Sequence, residues 1–150
     1  MKTGNPIMDA VSQFDCAAYQ IPASWYHTIV KESGKPHYNA IAVLAEILEW
    51  YRPQPVYNSN GYLTGYQAHF DGDYLPRSYE EFGESLNISK QQAYRAIHYL
   101  ESIGLVKRHY YDKIIDPYNI IMNNNLMVEL IPERLYEVTF RGEKDQVLET

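Results

Sequence analysis

The chain is nearly without cysteine. Cys16 stands alone among 150 residues, so no disulfide can close within the chain, and this usage fits a reducing cytoplasm. Cys16 has no partner base near it in the sequence and is given no role. Long apolar runs are missing as well. No stretch approaches the roughly 18 residues that a membrane span requires. The start, MKTGNPIMDAVSQ, has no basic lead followed by an apolar core, so no signal peptide is expected. Nucleotide loops are missing too: neither G-x-x-x-x-G-K nor G-x-G-x-x-G occurs. The five histidines are scattered, and no pair has metal-ligand spacing on a helix. A nicking enzyme needs two histidines flanking an apolar residue, beside a nucleophilic tyrosine. No such pair occurs, so the tyrosines gain no catalytic meaning. Asp71 and Asp73 flank Gly72, which a turn explains. The reading is of a cytoplasmic protein that is not an enzyme, with no cofactor, no metal, no small-molecule substrate and no membrane partner.

Bases are also scarce: 13 Lys plus Arg stand against 19 Asp plus Glu, a formal net charge of −6. That argues against polyanion binding by the whole surface and leaves room for one local face. The bases that exist are gathered. Between Ser89 and Lys113, the cations Lys90, Arg95, Lys107, Arg108 and Lys113 face only Glu101 and Asp112. The remainder is therefore more acidic than the chain as a whole.

What is present is ordinary for a globular protein, with 45% hydrophobic and 21% charged residues. The length suits one domain. Residues 1–18 read as a loose lead-in, 19–140 as the domain and 141–150 as a polar tail. Fifteen tyrosines read mostly as core or boundary filler with a wet hydroxyl.

Several elements follow from local pattern. Pro22 suits the first turn of a helix, and Gly34 with Pro36 suits its end, giving a short helix over about Ala23 to Lys31. NAIAVLAEILEWYRP is the strongest helix: Ile41, Leu44, Leu48 and Tyr51 share a face, and Val43, Ile47 and Trp50 widen it. Asn39 is its expected cap and Pro53 its stop. Asn-Gly and Asp-Gly pairs between Gln54 and Pro76 predict one or two short strands with turns. Ser78 with Glu81, and Ser89 with Gln92, are two capping boxes only eleven residues apart. They predict two short helices joined by a tight turn. Gly104 followed by Leu105 is a glycine stop with an apolar residue folding back. LVKRHYYDKIIDPYNIIMNNNLMVELIP reads as two antiparallel strands with a long hairpin, and a last short helix starts at Pro132.

On a helical wheel of residues 90–103, Ala93, Ala96, Ile97, Leu100 and Ile103 gather on one side. Gln91, Arg95, His98 and Ser102 lie opposite, with Tyr94 at the margin. The two alanines, with Gly83 on the preceding helix, allow close helix crossing. Asn87 sits in the turn, where it tolerates a left-handed backbone, and Ile88 plugs the core. The outward face carries amide, guanidinium, imidazole and hydroxyl groups and no acid. Such a face suits a major groove.

The order helix, helix-turn-helix, two-stranded hairpin resembles that of winged helix-turn-helix domains. The spacing Gly83, Asn87, Ile88, Ser89, Ala93 is similar to the small–turn–aliphatic–Ser–small pattern of that motif, with Asn87 where glycine is common. More narrowly, YQIP, AIAVLAEILEWYRP, SYEEFGESLNISKQQAYRAIHYLESIGLVKR and NNNLMVELIPERLYEVT resemble the N-terminal domain of replication initiators from plasmids, phages and integrative elements, of the RepA-N and DnaD-like kind. These stretches cover most of residues 19–139. The fold expected is α+β: a winged helix-turn-helix, with a helical core and a two- or three-stranded antiparallel wing.

The function expected is sequence-specific binding of double-stranded DNA through a recognition helix at about 89–103 and a basic wing. The resemblance implies a role in replication initiation or its control on a mobile element. Gln91 and Arg95 are the candidates for base contact, because Gln pairs with adenine and Arg with guanine. Ser89, Lys90, Gln92, Tyr94 and His98 flank them, and Lys107, Arg108 and Lys113 are the candidates for phosphate. Arg52 and Arg77 read as ion-pair partners of nearby acids. Of His109, Tyr110 and their neighbours, one of each pair should pack inward. A homodimer or a replication protein is a further candidate partner. Two other readings stand beside this one: a protein-interaction adaptor docking through Tyr57 to Tyr79 or the long hairpin, and a transcriptional regulator using the same DNA chemistry.

Overall fold

A computed structural model of the protein describes residues 3–12, 18–115 and 120–148. Cys16 and the Asp-Pro tip of the long hairpin lie outside them. So do the side chains at 11, 113–115, 120–124 and 141–148.

The chain runs through α1 (Pro6–Ser12), α2 (Trp25–Thr28), α3 (Tyr38–Tyr51), β1 (Gln54–Tyr57), β2 (Leu63–Gln67) and β3 (Leu75–Pro76). It continues through α4 (Tyr79–Leu86), α5 (Lys90–Ser102), β4 (Val106–Ile115), β5 (Ile120–Leu130) and α6 (Pro132–Leu148). The class is mixed α+β, with antiparallel strands throughout.

α3 is the core helix because its middle, residues 40–47, is almost wholly buried. Ala40, Ile41, Val43, Leu44, Ala45 and Ile47 are buried. The helices α2, α4 and α5 and the strands β3 and β5 pack around it. Its cap is His37, whose Nδ1 accepts from the Ala40 N–H at 3.2 Å, and not Asn39. Either residue can cap, but the chain enters this helix two residues earlier than its apolar stripe suggests. Glu46 is wholly buried in that core. It is compensated by Arg77, whose Nε donates at 3.1 Å, and by the hydroxyls of Tyr19 and Ser85. Arg52 pairs with Glu49 at 3.3 Å. Both arginines are thus bound to acids, as their sequence positions suggest.

α2 is shorter than expected. Ile29 leaves the helical region, and Val30 bridges to Pro36 across a turn in which Lys31 donates to the Lys35 carbonyl. Gly34, at φ +86, makes that turn and does not end the helix. α2 is held instead by α6. The Trp25 indole donates to Thr139 Oγ1 at 2.8 Å, and the Ser24 hydroxyl donates to the Thr139 carbonyl at 2.7 Å. α6 itself spans 17 residues, so the short helix expected at Pro132 continues through the segment set apart as a tail. α1 likewise puts one short helix in the lead-in.

The larger sheet has the order β3-β5-β4, with Leu75 opposite Val128 and Val106 opposite Leu130. Its base is buried at Leu75, Val106, Leu126 and Val128. β4 and β5 run on past the core, with a register shift between Tyr111 and Lys113. β1 and β2 form a separate ribbon turned by Asn58 and Gly61. Among the described residues no tyrosine is fully buried, and nine are exposed. The core is closed by Trp25, Phe82 and aliphatic side chains, which leaves the phenols at the boundary and outside.

Candidate nucleic-acid interface

Both capping boxes form. Ser78 Oγ accepts from the Glu81 N–H and Ser89 Oγ from the Gln92 N–H, while each carboxylate or amide reaches back to the cap residue. Such caps satisfy helix N–H groups that are otherwise orphaned. Between the helices Asn87 adopts φ 54 and ψ 46, the left-handed turn that asparagine tolerates. A β-carbon at Gly83 meets the Ile88 carbonyl oxygen at 2.6 Å. Only glycine lets the turn approach so closely. Ala93, Ala96, Ile97 and Leu100 bury the inner face of α5. Gly104 at φ +81 stops the helix, and the Leu105 N–H returns to the Leu100 carbonyl at 2.9 Å.

This arrangement leaves Gln91, Arg95, His98 and Ser102 as one exposed stripe. Helical spacing puts them on successive turns over roughly 16 Å, a length that fits along a major groove. Among the described residues Gln91 and Arg95 have no side-chain hydrogen bond or ion pair. Lys107 on β4 is likewise exposed without an ion-pair partner among them. The other candidates are more committed. Ser89 and Gln92 are exposed but hold each other in the capping box. Lys90 lies 3.8 Å from Glu80, with both side chains largely in water, a pair of little strength. Lys113 sits on β4 opposite Met122, and its side chain is outside the described ones.

Arg108 corrects the sequence expectation. It does not reach outward: only 12% of its side chain is exposed. Its Nε and Nη2 donate to Glu101 Oε1 at 3.1 and 2.8 Å, and its Nη1 donates to the Tyr79 hydroxyl at 3.3 Å. Its Nη2 also meets His98 Nδ1 at 3.1 Å, and its backbone N–H donates to Glu101 Oε2 at 2.8 Å. The guanidinium lies 5.5 Å from the Tyr94 ring centre. A group so bound has little left to offer a phosphate. Its role is to tie the last turn of α5 to the first residues of β4. Glu101, the one acid of α5, is thereby paired within the protein's own surface. The hydrogen bonds from Arg108 hold its carboxyl below the usual carboxylate range, and Glu101 in turn raises the guanidinium pKa further.

Tyr79, Tyr110 and Glu101 complete the network and were not among the sequence candidates. The Tyr79 and Tyr110 hydroxyls are 2.8 Å apart, bridging α4 to β4. Burial first, and then the bond to Tyr110, push the Tyr79 phenol up to about 12, so it stays a neutral donor and acceptor. Tyr94 packs edge-on to Tyr79 and nearly parallel to His98, which makes it partly a support for the stripe. On β4, His109 stacks on Tyr74 and meets Glu129 at 2.8 Å while staying partly exposed, and Tyr110 is exposed.

No family model, curated protein or solved structure matches this chain. The resemblance to replication initiators thus has no relative behind it, and the site has to be judged by its chemistry. Among the described residues no cluster of His, Cys, Asp and Glu is placed to hold a metal ion, and no helix is long and apolar enough to cross a membrane.

Proposed function

We propose that the protein is a winged helix-turn-helix that binds duplex DNA in a sequence-dependent way. α5 is the recognition helix and the β4–β5 hairpin is the wing. One observation carries the reading: the exposed stripe Gln91–Arg95–His98 has no carboxylate on it, while the only acid of α5 is tied up by Arg108. In a chain of net charge −6, such a face is where a polyanion meets least repulsion. Gln91 and Arg95 read base edges, His98 and Tyr94 flank them, and Lys107 holds a phosphate, with Lys113 further along the same strand. The role is replication initiation or its control on a mobile element. Transcriptional regulation shares the same contacts and differs only in where the site lies.

Binding to random and selected duplexes, titrated with salt, tests this. Arg95→Ala costs about 1–3 kcal/mol and relaxes preference at one base pair. Lys107→Ala weakens all sequences and lowers the salt slope by about 1. Parent-like binding by both variants would overturn the assignment of this face.

A second reading, a protein-interaction adaptor, is favoured by the β1–β2 ribbon, where Tyr57, Tyr62, Leu63 and Tyr66 are exposed together. A stable protein complex by size exclusion, without salt-sensitive DNA affinity, would select it.

A further inference from the structure

Gln91 carries both a donor and an acceptor on a terminal amide that is free to turn. His98 is not free in this sense. A neutral imidazole has one N–H and one bare nitrogen, and the bond made by one nitrogen decides the character of the other. The partner of His98 Nδ1 is Arg108 Nη2, at 3.1 Å. A guanidinium has only donors. Nδ1 must therefore accept, and the ring proton sits on Nε2.

Arg108 has little freedom to turn away. Its Nε, Nη1 and backbone N–H are bonded to Glu101 and Tyr79. The imidazole is backed by Tyr94, with ring planes 13° apart and centres separated by 6.1 Å. Carboxylate, guanidinium and imidazole thus form a relay of fixed direction that ends at the outer face of α5.

We propose that Arg108 fixes His98 as the Nε2–H tautomer, so that His98 acts on the recognition face as an obligate donor and selects a hydrogen-bond acceptor on DNA. This rests on the duplex-binding reading above. It adds which chemistry the third residue of the stripe recognises. In the major groove guanine N7 and O6, adenine N7 and thymine O4 accept, whereas cytosine presents only its amino donor. A donor-only His98 disfavours cytosine where it meets a base edge. A phosphate oxygen satisfies the same donor without regard to sequence.

The test uses the full chain and one variant, His98→Phe. This variant keeps a flat ring beside Tyr94 and removes one acceptor of Arg108, whose bonds to Glu101 and Tyr79 remain. Long-range proton–nitrogen spectra of the free parent protein, at mildly alkaline pH, report the tautomer directly. The histidine signals missing from the variant assign His98. The expected pattern is a pyridine-like Nδ1 and a pyrrole-like Nε2. In duplex binding, His98→Phe loses about fivefold in affinity, the worth of one hydrogen bond. If the acceptor is a base edge, selection from random duplexes loses its bias against cytosine at one position. If it is a phosphate, the loss is equal on all duplexes. Either result sustains the donor role. A pyrrole-like Nδ1 overturns the lock and leaves DNA binding standing. Unchanged affinity and selectivity in His98→Phe, with a parent that binds, overturns the donor role. A parent that binds no duplex overturns the functional reading and this inference together, whatever the spectra show.

Discussion

Two hairpins of this protein, β4–β5 and β1–β2, have the same antiparallel pairing and opposite surroundings. β4–β5 is rooted. Val106, Leu126 and Val128 at its base are buried, β3 pairs along its flank, and the Tyr51 hydroxyl donates to the Val128 carbonyl. β1–β2 has no such root, and all of its strand residues are exposed except the half-buried Gly65. The rooted hairpin carries Lys107 and Arg108, and the ribbon carries no charged residue. Ladder hydrogen bonds are common to both, so the difference in stability lies in apolar burial, at roughly 25 cal/mol per Å². A lone two-stranded ribbon is marginal in water. On the proposed reading, the surface that meets DNA in fixed register lies on the rooted hairpin.

The largest expected effect tests that root. Val128→Ala empties a fully buried position and destabilises by about 2–3 kcal/mol in urea unfolding. Gly83→Ala comes next. The added methyl has to displace the Ile88 carbonyl 2.6 Å away, a backbone atom, which costs about 1–3 kcal/mol. It loosens the α4–α5 crossing behind β4, so DNA affinity falls along with the urea midpoint. If Gly83→Ala is neutral in both measurements, the close crossing is not what positions α5.

Much of this machinery was legible because it is local. Ser78–Glu81 and Ser89–Gln92 are read from a spacing of three, and Asn87, Gly104 and Leu105 from the backbone each must adopt. Gln91, Arg95 and His98 follow from helical period alone, and they are exposed as that period requires. What failed was set through space. Glu101 and Arg108 are seven residues apart across a helix stop, and no pattern rule joins them. Glu46 carries no local signal of its burial, because Arg77, Tyr19 and Ser85 converge on it from three other segments. The described tyrosines, read as core or boundary filler, are at the boundary, as with Tyr51, Tyr79 and Tyr99, or exposed, and none is core, because composition does not say which aromatics close the core. His37 displaced Asn39 as a cap because both offer an acceptor and only the chain's entry path decides.

The Arg108–Glu101 tie gives a smaller effect with a definite pH dependence. The Glu101 carboxyl is held below its ordinary range in the folded protein. Its contribution to stability is therefore fully present above the unfolded carboxylate pKa and is lost as pH falls through the lowered folded value. Glu101→Gln destabilises by about 1 kcal/mol at neutral pH, since the pair is partly exposed. The deficit relative to the parent shrinks in acid. Parallel stability curves for parent and variant down through the carboxylate range show that the tie contributes nothing to folding.

The smallest effect belongs to the ribbon. Tyr57 is 60% exposed on β1, and Tyr57→Thr replaces an aromatic strand former with a β-branched one that also suits a strand. Its unfolding free energy should stay within about 0.5 kcal/mol of the parent, as for surface positions away from the core. Duplex affinity and its salt slope should also be unchanged, because no charge is removed. A loss near that of Val128→Ala means that the ribbon is packed in solution, and the contrast between the hairpins fails. Unchanged stability with a lost protein complex separates the adaptor surface from the DNA surface, since the substitution lies on the hairpin that carries no base.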